Sequence, residues 1–130
     1  ILPKEYSSLL DCMSKNDAQT WIVKPSASSQ GRGIFMTNNI EDINSKLPQV
    51  VCQYIDNPCL FNGYKFDLRV YVAITSICPL RIYMYREGLA RLATMLYNSI
   101  PENSSSNKCT HLTNYSINKH NANFKANDGD

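Results

Sequence analysis

Several features are missing from this sequence, and each absence closes off a class of function. No apolar run approaches the length of a membrane span, so no segment is expected to enter a bilayer. No block of like charge is present either. The 13 basic and 11 acidic residues are scattered along 130 positions for a net charge of +2, and nothing announces binding to nucleic acid or to a membrane surface. The five cysteines (Cys12, Cys52, Cys59, Cys78, Cys109) are odd in number, show no C-x-x-C spacing and mostly stand among apolar neighbours. Free thiols in a reducing compartment such as the cytosol are the expectation. His111 and His120 lie far apart in sequence and have no Cys or carboxylate company, so no metal site is proposed from them. No Ser/His/Asp or Cys/His arrangement can be read from spacing, no repeat is visible, and the Walker phosphate-loop pattern is absent. The Asn-x-Ser matches at Asn103 and Asn114 carry no weight without secretion. The start, Ile1-Leu-Pro-Lys-Glu, is neither an initiator Met nor a signal peptide, and the polar end from Asn118 to Asp130 lacks a hydrophobic close. A piece of a longer chain is expected.

What is present is enough apolar sequence, 43% hydrophobic and 10% aromatic, to bury the core of a small globular unit. Residues 1 to 17 place Leu9, Leu10 and Met13 at roughly helical spacing, and Trp21-Ile-Val-Lys-Pro then predicts a short buried strand. The small polar loop Ser26 to Gly33 leads into a second strand at Ile34-Phe-Met-Thr. Asn39 can cap a helix over Ile40 to Leu47, ended by Pro48, and Val50 to Ile55 is a β-rich run. Asn57-Pro58 and Asn62-Gly63 supply turns on either side of Cys59-Leu-Phe. From Tyr64 to Ile74, apolar and polar residues alternate, which predicts one strand with a partner at Leu80 to Arg86 across a Cys78-Pro79 turn. A helical or irregular stretch is expected up to Tyr97, a Ser- and Asn-rich loop over Pro101 to Lys108, and β-like structure over Cys109 to Ile117.

Three places could carry chemistry. Lys24 at a strand end, before a loop with Gly31 and Gly33, suits phosphate, because glycine permits close backbone approach while the ammonium neutralises charge; an ordinary turn would look the same. Lys65, Asp67 and Arg69 project from one strand face, about 6 to 7 Å between successive members. They could hold a nucleotide, with Arg69 on a phosphate, or form plain cross-strand pairs on a solvated face. Glu87 and Arg91, at i and i+4, fit a surface ion pair if that segment is helical.

In order along the chain, Lys24-Pro with Gln30-Gly-Arg-Gly-Ile34, Tyr54-Ile, Gly63-Tyr-Lys-Phe-Asp-Leu-Arg-Val-Tyr71, Tyr85-Arg-Glu-Gly-Leu-Ala-Arg91 and His111-Leu-Thr-Asn-Tyr-Ser-Ile-Asn-Lys119 resemble the tubulin tyrosine ligase-like family, over about Trp21 to Phe124. The glutamate-adding branch is the most similar. The resemblance implies an α+β chain that forms the central part of an ATP-grasp fold with antiparallel sheet, the C-terminal part lying outside it. It also implies a ligase that uses ATP to activate a carboxylate as an acyl phosphate before an amine attacks. Free glutamate and the C-terminal tails of tubulin or microtubules are the implied partners, which places the protein in the cytoplasm at the cytoskeleton, with microtubules of the cilium or basal body included.

By position in the family motifs, Lys24, Gln30 and Gly31 resemble phosphate contacts, and Cys52, Gln53, Tyr54 and Ile55 the segment that holds adenine. Where the family commonly has Gln, this chain has Cys52, with Gln53 one place later. Lys65, Phe66, Asp67, Thr113 and Asn114 match nucleotide contacts. Arg69, on the phosphate side, and Arg91 look like catalytic arginines, and Arg91 and Ser116 match contacts to the incoming glutamate. The family's magnesium ligands are expected downstream of Asp130, with Asp128 and Asp130 as poor substitutes, so this stretch alone is expected to be inactive. The resemblance leaves open a glycylase or tyrosine ligase, or a non-catalytic module that binds nucleotide or microtubules.

Overall fold

The computed structural model describes residues 1–16, 18–98 and 108–126. The chain divides into two compact units, one of Ile1–Pro58 with Asn98–Lys108 and the other of Cys59–Tyr97 with Cys109–Asp130.

In the first unit, α1 (Tyr6–Ser14) turns Leu9 and Met13 inward while its other residues stay largely exposed, as its helical spacing predicts. Strands β1 (Trp21–Pro25), β2 (Phe35–Thr37) and β3 (Gln49–Gln53) form an antiparallel sheet in the order β2-β1-β3. The central strand is the apolar Trp21-Ile-Val run, and Val23 is completely buried. Leu2, Leu9, Met13, Trp21, Val23 and Ile43 make one core cluster, with Tyr6, Phe35, Ile40 and Val51 packed against it. The helix expected over Ile40 to Leu47 shrinks to a 3-10 turn over Ile40–Asp42. Asn39 does cap it, accepting from the Glu41 N–H at 3.0 Å, but Ile43 is already extended. One capped turn is too short to propagate as a helix.

In the second unit, β4 (Leu60–Phe61) and β5 (Tyr64–Arg69) form a hairpin across Asn62-Gly63, whose φ values of 50° and 82° fit the primed turn that Asn-Gly favours. β5 then pairs on its other side with β8 (Leu89–Leu96), giving the order β4-β5-β8. β6 (Val72–Ile77) and β7 (Leu80–Met84) make a separate two-stranded ribbon across Cys78-Pro79. Two short helices follow, α2 (Lys108–His111), whose first residue is counted with the first unit, and α3 (Tyr115–Asn118).

Three expectations are corrected here. The alternating run from Tyr64 to Ile74 is two strands in two sheets, because alternation marks faces but not the place where a strand changes partner. The stretch up to Tyr97 is the long strand β8, which removes the helical i, i+4 reading of Glu87 and Arg91. Cys109 to Ile117 is helical at both ends, where local hydrogen bonds from Ile117 and Asn118 to the Asn114 carbonyl override weak β propensity. The partner strand expected at Leu80 to Arg86 is present as β7. Pro101 to Asn107, with Asn103, and Asp128 and Asp130 lie outside the described residues.

The β6–β7 ribbon leaves its apolar residues in the open: Ile74 is 63% and Met84 70% exposed. All five cysteines are free thiols, but Cys12, Cys52, Cys59 and Cys78 are exposed and only Cys109 is partly covered, so their apolar neighbours in sequence do not enclose them.

Candidate functional site

Asp67 is the focus of the second unit. Its position on β5 is set directly opposite Arg91 on β8, and the guanidinium donates two parallel bonds, Nε to Oδ1 and Nη2 to Oδ2, both at 2.7 Å. Such a fork-to-fork pair fixes orientation as well as charge. The Thr113 hydroxyl, 46 residues further along the chain, donates to Oδ2 at 2.6 Å. Three of the sequence blocks therefore converge on one carboxylate.

Partial burial of Asp67 pushes its carboxyl pKa up. Donation from Arg91 and Thr113, with the positive charges of Arg91 and Arg69, outweighs that effect and holds it below the ordinary carboxylate value. Arg91 is shifted upward, mainly by its bonds to Asp67. Asp67 is therefore an ionised acceptor at neutral pH. Arg91 has five N–H groups and gives two of them to Asp67, and among the described residues its second terminal nitrogen makes no hydrogen bond.

Lys65 and Phe66 precede Asp67 on β5 and are half-buried, whereas Arg69 at the strand end is exposed. Gly88, just before β8, lies so close to β5 that a Cβ there would stand 2.7 Å from the Arg69 carbonyl oxygen. His111 is buried edge-on to Tyr97, with ring centroids 5.5 Å apart; burial, then the Lys65 charge, holds its pKa below the usual histidine value. Asn114 and Ser116 are half-buried on the segment that carries Thr113. Of the charged triplet, Asp67 does form a cross-strand pair, the bland alternative for such a face, but its partner is Arg91.

In the first unit, Lys24 is exposed next to the end of β1. Gln30 and Gly31 have φ of 62° and 77°, so a non-glycine residue is held left-handed in the loop, a conformation that costs of order 1 kcal/mol. At the end of β3, Cys52 and Gln53 are exposed, Tyr54 is buried and Ile55 is 71% exposed. The Tyr54 N–H donates to the Thr20 carbonyl at 2.8 Å, and its own carbonyl accepts from Gln19 Nε2 at 3.1 Å. Among the described residues no group of three or more His, Cys, Asp and Glu side chains could hold a metal ion.

Sequence reading missed Asn118. It is 1% exposed, and its amide bridges the Thr113 segment to β8. Nothing in Ser-Ile-Asn-Lys distinguishes it from a surface polar residue.

The chain is thus an α+β protein with antiparallel sheets whose second unit gathers a carboxylate, two arginines, a lysine and a hydroxyl around β5. The profile of the tubulin-tyrosine ligase family matches residues 1–130, and the chain belongs to that family. It is 50% identical over 123 residues to human tubulin polyglutamylase TTLL13, covering 95% of this chain and 15% of that protein. It is 46% identical over 129 residues to a probable beta-tubulin polyglutamylase of Tetrahymena thermophila, covering 98% of this chain and 11% of that protein. Human tubulin polyglutamylase TTLL5 is 49% identical over 119 residues, with 92% and 9% covered. The chain thus spans roughly a tenth to a sixth of the length of these curated relatives. Among solved structures, the C-terminal domain of K. lactis Pby1, described as an ATP-grasp enzyme, superposes with a TM-score of 0.48 at 24% identity, covering 92% of this chain and 39% of that one.

Proposed function

We propose that this chain is part of an ATP-dependent ligase that adds glutamate to the C-terminal tails of tubulin. The observation that carries the reading is the convergence of three sequence blocks on Asp67, through Arg91 and Thr113, in a chain about half identical to proteins named tubulin polyglutamylases. Membership of the family supports an ATP-grasp fold for the whole domain.

In this reading a tail carboxylate attacks the γ-phosphorus of ATP, giving an acyl phosphate and ADP. The amine of free glutamate then attacks the acyl carbon, the new C–N bond forms, phosphate leaves and the nitrogen loses a proton. Lys24, Gln30 and Gly31 contact phosphate, and Cys52, Gln53, Tyr54 and Ile55 border adenine. Lys65, Phe66, Asp67, Thr113 and Asn114 contact the nucleotide. Arg69 stabilises the charge that develops on the transferred phosphoryl group, as a preorganised cation does. Arg91 takes the glutamate carboxylate through its remaining N–H groups, with Ser116 as a second contact. The reaction places the protein in the cytoplasm at microtubules.

The test is incorporation of radiolabelled glutamate, glycine and tyrosine into microtubules by the full-length protein with ATP and magnesium, with Arg69→Ala as the control. ATP-dependent glutamate transfer that is lost in the variant is the expected result. Labelling by glycine or tyrosine instead overturns the choice of donor, and no labelling with any of the three overturns ligation.

A further inference from the structure

Asn118 uses every hydrogen-bonding position of its side chain. Oδ1 accepts from the Thr94 backbone N–H at 2.9 Å and from the Thr94 hydroxyl at 2.8 Å. Nδ2 donates to the carbonyls of Leu112 at 2.7 Å and Asn114 at 3.1 Å. An amide has two donor hydrogens and two acceptor lone pairs, so this buried group is fully satisfied.

The four contacts are placed with consequence. Leu112 and Asn114 are the immediate neighbours of Thr113, so both carbonyls that flank Thr113 are held by one nitrogen. Thr94 lies three residues beyond Arg91 on β8, in the stretch where the register with β5 breaks: Leu92 faces Phe66 and Leu96 faces Tyr64. Where regular pairing lapses, the Thr94 N–H is met by Asn118. The two segments joined this way are the ones whose side chains, Arg91 and Thr113, meet on Asp67.

We propose that Asn118 is the positioning residue of this site: its single buried amide sets the strand carrying Arg91 and the turn carrying Thr113 in register, so that both close on Asp67. It touches neither substrate nor nucleotide and acts through Thr113 and Arg91. The proposal rests on the ligase reading for what the site binds. The chemistry explains why an amide stands here. Aspartate would keep the acceptor for Thr94 but turn an oxygen toward two carbonyls, and a hydrocarbon would take away the acceptor of the Thr94 N–H and hydroxyl and the donor to the Leu112 carbonyl, while the Asn114 carbonyl would keep the N–H groups of Ile117 and Asn118.

The test is a double-variant cycle in the full-length protein, with ATP affinity measured by titration calorimetry over a range of pH, and KM and kcat for glutamate transfer. Asn118→Asp and Thr113→Val are each expected to weaken ATP binding about two- to tenfold, the worth of a hydrogen bond, and the double variant no more than the stronger single one. Thr113→Val is also expected to move the acid limb of ATP binding to higher pH, because Asp67, faced by Arg91, Arg69 and Thr113, loses a donor, and Thr94→Val, which likewise adds no charge, to move it in the same direction; a purely structural role would not produce that shift. Additive losses, or a lowered melting temperature with unchanged affinity and acid limb, overturn the proposal. If Asn118→Asp does not fold, Thr94→Val decides in its place, with a smaller shift in the same direction expected and no shift overturning the proposal. Wild-type protein that binds no ATP overturns the ligase reading, a result distinct from additivity in protein that binds it.

Discussion

Asp67 and Arg91 face each other across β5 and β8 as a bidentate pair, with both N–H···O distances at 2.7 Å, although 24 residues separate them in sequence. The pair is partly open, with the Arg91 side chain 30% and the Asp67 side chain 37% exposed. Solvent therefore screens it, and its effect on orientation exceeds its effect on stability.

Arg91→Lys should separate these two effects. Lysine keeps the charge but cannot present the planar fork, so stability is expected to fall by less than about 1 kcal/mol. Glutamate transfer is expected to fall by roughly tenfold or more, the scale of about 1.4 kcal/mol in a transition state. Melting curves and steady-state kinetics on the same preparation check both. A large loss of stability with intact transfer would put Arg91 outside the chemistry.

Acid should weaken the Asp67 cluster in a definite direction. The folded carboxyl lies below its unfolded value, so its contribution is fully present above the ordinary carboxylate range and is lost as pH falls through the depressed folded value. Asp67→Asn is expected to flatten that part of the stability curve. Urea unfolding at a series of acid pH values, compared with wild type, measures it.

His111 should act in a higher window. Burial lowers its pKa, so the unfolded state takes up a proton first as pH drops below about 6.5, and stability declines from there toward the lowered folded value. His111→Gln is expected to remove that slope while leaving the Asp67 limb in place. The same unfolding series, extended to pH 7.5, resolves the two.

Gly88→Ala tests the close approach of the β7–β8 connection to β5. A methyl group 2.7 Å from the Arg69 carbonyl oxygen forces backbone to move against backbone, and a loss of about 1 to 3 kcal/mol is expected. Because Arg69 shifts with that carbonyl, transfer should fall as well. Unchanged melting behaviour would show that the strands part without strain.

In the first unit, Val23→Ala removes two methyl groups from a completely buried position in the central strand. A loss of about 2 kcal/mol is expected by analogy with other truncations of core side chains. Denaturant midpoints at constant slope measure it.

Local signals settled much of this protein. The Trp21-Ile-Val run, the Asn62-Gly63 turn and the Cys78-Pro79 corner were all legible, because an apolar central strand and a two-residue turn are decided by neighbours in the chain. The ordered motifs carried the family by themselves, because five blocks in one fixed order are far more specific than any one of them. The alternation from Tyr64 to Ile74 showed faces but not the change of sheet after Arg69. Only the tertiary structure decided that Arg91 turns from a supposed helical neighbour of Glu87 into the partner of Asp67, that Thr113 joins them, and that Asn118 holds the assembly in register. Those relationships depend on contacts between residues 24 to 46 apart in the chain, one by strand pairing and the others by side-chain hydrogen bonds, and sequence patterns report the environment of a residue, not the distant group that will satisfy its charge or hydrogen bonds.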